Sequence, residues 1–384
     1  MVEEHNSFDE DVSYLEEWVS RIQKSVLELK AIADDRNVTT FFSIGSTTQS
    51  DSQRPYLTPL RLLENGVISG VIVFSQSQAI IAANAVKDIV DSILVDAEKK
   101  IGIQVGASGA LLEHFNIRDF DSIKRSRSNI EFGNISAAIR TIVSSEKLTE
   151  YKPNDLTVDA VWTFLSLKLN NLSGKKIAVL GCGNIGFKLA LKLVESGVNV
   201  VLVRRDTSKG MFMANAINMV KPETTIATAS YTASALQASA FCDVLIGAAN
   251  TNTAVITWDM IQSMSPDGFI IDIGKGNVDA YALKMALEND IDIIRGDVTA
   301  SLYGFISHKQ QMQNIIQHKI GRREVDSGVS IVSGGILGKD GEVVVDNFSA
   351  PSLVYGVSDG CGNMKTELNE NDKKNIRTVK EHMK

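Results

Sequence analysis

Residues 177–206, IAVLGCGNIGFKLALKLVESGVNVVLVRRD, constrain this chain more than any other stretch. The apolar run 177–180 predicts a strand. Gly181, Gly183 and Gly186 then fill a G-x-G-x-x-G pattern, and 187–196 carries a helical rhythm. Gly197 ends that helix before a second apolar run at 198–203. Strand, tight turn, helix and parallel strand is the setting in which three such glycines mean a dinucleotide site. Gly181 permits the sharp turn, Gly183 lets the backbone approach a pyrophosphate, and Gly186 lets helix and strand pack closely. The amides at the helix start, those of Asn184 and Ile185 among them, then face the phosphates.

About twenty residues past Gly181 such a unit usually places an acidic residue on the ribose hydroxyls. Here Arg204 and Arg205 stand at that point, followed by Asp206, Thr207, Ser208 and Lys209. Two guanidinium groups with Thr207 and Lys209 form a donor-rich pocket suited to a 2′-phosphate, which favours NADP over NAD. Asp206 comes one residue late for the ribose and is free to orient either arginine. The plainer alternative is a solvated basic turn. Further along, a short strand at 243–246 ends in Gly247, Ala248, Ala249 and Asn250. In such a sheet that loop lies over the cofactor, where small residues admit the nicotinamide ribose. Another strand, 268–273, ends at Gly274-Lys275-Gly276.

At 384 residues the chain has length for two domains. A 44% hydrophobic fraction with mean hydropathy near zero is that of a soluble globular protein. The net charge of −7 argues against general nucleic-acid affinity, which needs a basic face to displace phosphate counterions. The acidic opening residues lack the basic and apolar regions of a signal peptide, and no run of eighteen apolar residues predicts a membrane span. Cys182, Cys242 and Cys361 are widely spaced and odd in number, which suits a reducing cytoplasm and gives no disulfide framework or zinc pattern. The five histidines form no metal cluster, so no metal is expected.

The expected architecture is α/β. A substrate-binding α/β domain spans 1–150, a connecting helix 151–176, a Rossmann-type nucleotide domain 177–298, and a C-terminal extension with a β-hairpin and polar tail 299–384. In the first domain, 8–35 reads as an amphipathic helix that packs across the domain or against a partner subunit, which leaves a homo-oligomer open. A strand ends at Gly45, 46–61 reads as a loop, and strands fall at 70–74 and 101–105 around helical material at 79–95. Further helices fall near 109–114 and 135–144. Arg54, Tyr56, Thr58 and Arg61 could touch a substrate. Ser75 and Ser77 either do the same or cap the following helix. The basic cluster 124–127 either receives an anion or forms a solvated face. Asp155 or Thr157 can cap the connecting helix. After the nucleotide strands (a weak one at 225–227 included), 329–336 and 342–345 flank GKDG, a hairpin signal.

The run 155–218 together with 243–274 resembles the shikimate dehydrogenase and methylenetetrahydrofolate dehydrogenase group, whose broader superfamily includes amino-acid dehydrogenases and glutamyl-tRNA reductase. VRRDTSK resembles the Asn-Arg-Thr-x-x-Arg/Lys clamp of NADP-dependent shikimate dehydrogenases, with Arg205 in the arginine's place and Arg204 where that family has asparagine. DVLIGAANTNTAVI followed by GFIIDIGKG is similar to the strand pattern of the folate enzymes. The resemblance covers about a third of the chain and implies a cofactor domain. The lysine motif of the shikimate enzymes and the tyrosine–lysine pair of the folate enzymes have no counterpart. Asp159, or else Asp155, matches by location the aspartate near the connecting helix.

These features lead to an NADP-dependent oxidoreductase that passes hydride between nicotinamide and a small polar substrate in an interdomain cleft. Asp159 is the first catalytic candidate, as acid, base or orienting carboxylate, with a helix-cap role as its alternative. Lys275 is the second, poised after a strand end to polarise a carbonyl or imine. Asp297 and Tyr303 are further cleft candidates. A dinucleotide-responsive binding protein without turnover is the rival reading.

Overall fold

The computed structural model describes residues 2–46, 54–98, 108–117, 134–251, 253–296, 298–326 and 328–383. The chain divides into two compact units, Met1–Thr299 and Ala300–Lys384. The expected strand at 101–105, the basic cluster 124–127 and Asp297 lie outside the described residues.

The first sheet is built by α1 (Val2–Arg36), β1 (Thr39–Ser46), β2 (Tyr56–Leu62), β3 (Gly66–Val73), α2 (Gln76–Val86), β4 (Ser92–Asp96), α3 (Ser108–His114), α4 (Ile135–Ile139) and β5 (Leu148–Tyr151). Its order is β2-β3-β1-β4-β5, parallel except for β2. Helix α1 buries Leu15, Trp18, Ile22, Val26, Leu29 and Ala33, spaced by three and four, in the same core as Phe42, Ile44 and Val71. That stripe therefore packs across the domain rather than on a partner.

Three expectations change here. Residues 92–96 are a strand, not the end of a helix: Ile93, Leu94 and Val95 form an apolar run too short to reveal its period. Residues 56–62, read as loop, are the edge strand β2. Pro59 is tolerated there because the register shifts between Thr58 and Arg61, so no ladder bond is asked of its missing N–H. The helix expected over 135–144 stops at Ile139, and β5 follows.

Helix α5 (Pro153–Lys168) leads out of this sheet. Its N-cap is Lys152 with Pro153 in the first turn, so neither Asp155 nor Thr157 caps it. The nucleotide sheet follows through β6 (Lys176–Leu180), α6 (Asn184–Glu195), β7 (Asn199–Val203), α7 (Thr207–Val220), β8 (Ala229–Thr232), α8 (Ala235–Ser239), β9 (Val244–Gly247), α9 (Trp258–Gln262), β10 (Phe269–Asp272), α10 (Ala280–Glu288) and β11 (Ile293–Arg295). The strand expected at 225–227 falls instead at 229–232. All six strands are parallel, in the order β11-β10-β9-β6-β7-β8. This is the doubly wound order whose reversal point, between β6 and β9, opens the ligand crevice. Thr232, Val203, Leu180, Gly247, Asp272 and Arg295 pair in one transverse row, so the strands end level.

The C-terminal unit opens with α11 (Thr299–Asn314), which continues as a π-helical turn over Ile315–Lys319. Its sheet, β12 (Gly321–Asp326), β13 (Val329–Ser333), β14 (Val343–Val345) and β15 (Val354–Val357), is covered by α12 (Glu370–Glu381). The hairpin of the extension is β12–β13. The strands flanking GKDG run parallel, because 334–342 carries the chain back before β14 begins. The charged end is an ordered helix: Asn369 and Asp372 form a reciprocal capping box, and Asp372 also pairs with Lys365.

Candidate functional site

The glycine turn after β6 has the geometry its sequence demands. Gly181 has φ +101°, and a Cβ there would lie 2.5 Å from the Ala249 amide nitrogen. A Cβ on Gly186 would lie 2.1 Å from the Gly181 carbonyl oxygen, so helix and turn can close only on hydrogen. Gly183 is different, since a Cβ there would meet nothing within 4 Å. It is the N-cap of α6, with no side-chain cap and no acidic residue in the first turn. The amides of Asn184 and Ile185 thus begin a helix whose positive end has no capping side chain and no first-turn carboxylate.

Beyond β7 the two arginines part. Arg204 turns inward and donates from Nη1 to the Cys182 carbonyl at 2.5 Å, tying the end of β7 to the glycine turn. Its buried Nε has no partner. Arg205 is exposed. Asp206 orients neither arginine. It caps α7 by accepting from the Lys209 amide at 3.0 Å, and it lies 3.6 Å from the Lys209 ammonium. The Lys209 amide bond, with the nearby Lys209 and Arg204 charges, holds its carboxyl below the usual range. Tyr231, which the sequence reading missed, joins the group: its hydroxyl donates to the Arg204 carbonyl and shares a hydrogen bond with Thr207 Oγ1, both at 3.1 Å.

The loops after β9 and β10 are locked together by Asn277, a second residue not anticipated. Fully buried, it donates from Nδ2 to the Ala249 carbonyl (3.0 Å) and accepts from the Ala249 amide (2.8 Å). Asp272 accepts the Gly276 amide at 2.8 Å, closing the turn that carries Lys275. Lys275 is exposed and left-handed, φ +58°. The Ala248 amide bonds the Leu180 carbonyl at 2.7 Å, and Gly274 bonds Gly247 at 3.1 Å. Gly181, Ala248, Ala249 and Gly274 therefore line one edge of the crevice, with Lys275 at its end.

Asp159 is placed elsewhere. It ion-pairs with Lys192, while Asp155 pairs with Lys188 and Lys152. The matching offsets make α5 and α6 run side by side in one direction. Lys192 lies nine residues past Gly183, roughly 13 Å along the helix at about 1.5 Å per residue. Lys192 also lies over the Trp162 ring, 4.7 Å from its centroid. Asp159 thus cements two helices. In the first sheet, Ser75 caps α2 through the Gln78 amide, which is the structural alternative foreseen for it. A third unanticipated group sits at the carboxyl end of that sheet. Buried Asp96 accepts from the Ser46 amide (3.2 Å) and hydroxyl (2.7 Å), beside the buried Tyr151. Burial, reinforced by the charges of Asp96 and Glu98, raises the Tyr151 phenol well above its usual range. Among the described residues no group of three or more His, Cys, Asp or Glu could hold a metal, and no helix is long and apolar enough to cross a membrane.

Residues 137–301 match the family model described as D-isomer specific 2-hydroxyacid dehydrogenase, NAD binding domain. A glutamyl-tRNA reductase of Campylobacter jejuni is 21% identical over 268 residues, 70% of this chain and 54% of that protein. The chain thus spans about half the length of the curated relatives it matches. Among solved structures, L-tryptophan dehydrogenase from Nostoc punctiforme aligns with TM-score 0.40 and 12% identity over 71% of this chain and 75% of that one. Dipicolinate synthase A chain from Bacillus subtilis aligns with TM-score 0.32 and 14% identity over 71% of this chain and 97% of that one. The nucleotide half is a dinucleotide-binding domain of the dehydrogenase kind. It is matched at that general level, and the shikimate and methylenetetrahydrofolate group is not singled out.

Proposed function

We propose that this chain is an NADP-preferring oxidoreductase that moves a hydride between nicotinamide and a small polar substrate bound at the carboxyl edge of its sheets. The observation that carries the reading is the division of labour after β7. Asp206, the acidic residue nearest the ribose position in sequence, caps α7, while Arg205 is exposed in the same turn, two residues before Thr207. Capping engages one oxygen of Asp206, and the exposed Arg205 with the Thr207 hydroxyl supplies donors suited to an anion at the adenosine 2′ position. When bound, the nicotinamide would give up a hydride in its reduced form or accept one in its oxidised form. The open amides of α6 hold its pyrophosphate, Arg205 and Thr207 its 2′-phosphate, and the Ala248–Ala249 backbone the nicotinamide side. Lys275 polarises the substrate carbonyl or imine. Asp159 serves the packing of α5 on α6. A cytoplasmic setting accords with three free cysteines.

Titration with NADPH and NADH, followed by intrinsic fluorescence, tests this. Arg205→Ala should weaken NADPH binding by ~10–100-fold, the size of a lost charge-assisted bond, and leave NADH binding within about twofold. An unchanged ratio of the two affinities sinks the clamp.

The engagement of Asp159 by Lys192 favours a second reading, a dinucleotide-responsive binding protein without turnover. Tight NADPH binding with no turnover across a panel of carbonyls, imines and alcohols would select it. Glutamyl-tRNA reductases, by their name, act on a tRNA-borne group; the charge of −7 supports a small substrate here.

A further inference from the structure

Helix α7 turns one face to the sheet and another to solvent. Gly210, Ala214 and Ile217 are buried, with Gly210 pressed on the Tyr231 ring. The opposite face carries Phe212, Asn215, Ala216 and Met219, flanked by Met211 and Val220. Phe212 is 74% exposed, Met219 85% and Val220 66%. No charged residue occurs from 210 to 220. Lys221 donates to the carbonyls of Thr225 and Ala227, folding the next segment back on the helix end, and Ile226 there is 96% exposed. A solvated helix normally turns charge outward; this one turns outward an aromatic ring, three methionine or valine side chains and two small residues.

We infer that this face is where two copies of the chain pair, their α7 helices antiparallel across a two-fold axis between Asn215 and Ala216. Several properties select a second copy as the occupant. The face is self-complementary, as an isologous contact requires. Phe212 and Met219 are equidistant from the axis, so each ring receives the other copy's thioether, a favourable aromatic–sulfur contact. Asn215 and Ala216 at the centre allow the helices to approach to about 8 Å. The ends match in charge: exposed Glu223 of one copy comes opposite Lys209 of the other. Met211, Phe212, Met219, Val220 and Ile226 are each more than half exposed, a contiguous apolar patch of the kind that marks an interaction surface.

Sedimentation velocity on the full chain tests the pairing. The protein should sediment as a dimer at micromolar concentration. Phe212→Glu and Met219→Glu should each weaken association by at least ~10-fold, as removal of a central anchor does, with unchanged far-UV circular dichroism. Glu223→Lys should weaken it too, by facing lysine with lysine. In a Cys361→Ser background, Ala216→Cys should be joined to a second copy by a short bis-maleimide, whereas Lys284→Cys should not. A monomeric wild-type chain overturns the inference. So does a dimer indifferent to Phe212→Glu and Met219→Glu, or an Ala216→Cys variant that is not cross-linked.

Discussion

Arg204 and Arg205 are neighbours with different tasks. Arg204 ties β7 to the Cys182 carbonyl, while Arg205 is left to the solvent. Two identical letters in a sequence carry no hint of this, because both lie past the end of β7, where no strand period sets side-chain direction. The cysteines divide in the same way. Burial pushes the Cys182 thiol up to about 11, with the Arg204 charge a weaker opposing influence, and burial pushes Cys242 up to about 12. Cys361 is exposed. Since the thiolate is the nucleophile, iodoacetamide at neutral pH should label Cys361 in the native protein within minutes and the other two only after denaturation. Peptide mass spectrometry reads the result. Rapid native labelling of Cys182 would mean that the glycine turn opens in solution.

At the level of elements, the Asn277 bridge does for two loops what a ladder does for two strands. It satisfies both backbone groups of Ala249 from 28 residues away, and Gly247 and Gly274 press against it. Asn277→Ala should cost about 2–3 kcal/mol in chemical denaturation, since it leaves a buried amide and carbonyl unpaired. A loss below about 0.5 kcal/mol would show the loops hold themselves. Such long-range pairing has no local signature, which is why Asn277 was not legible while the glycine turn was. The same logic sorts the strands. β6 and β7 announce themselves by four-residue apolar runs beside a glycine motif. β8, with the sequence ASYT, and β5, with LTEY, carry no apolar run and are held by neighbours far along the chain. β4 is apolar but only five residues long, a length at which strand and helix look alike.

For the molecule as a whole, alternation of strand and helix was enough to read a parallel nucleotide sheet, while its order came only from the pairing of strands in the structure. The C-terminal unit resisted, because a parallel pair and a hairpin can share the same glycine-rich spacer. Its core of Val329, Ile331, Val343, Val345 and Val357 is nevertheless continuous. Cofactor binding should register on the fold carrying the glycine turn. At 100 times its dissociation constant NADPH should stabilise that fold by about 2.7 kcal/mol. The accompanying rise in thermal midpoint should be larger than with equal NADH and should shrink in Arg205→Ala. Equal shifts for the two nucleotides would contradict the preference.

The level finish of the six nucleotide strands has a practical corollary. When no strand overshoots its neighbours, the rim above the sheet is all connection, and its contour is decided by loop length alone. Under the proposed function, pyrophosphate binding would depend on the first turn, whereas what is admitted beside the nicotinamide would depend on the connections after β9 and β10. Recognition of the coenzyme and choice of substrate would then be separate inheritances, free to be exchanged one without the other.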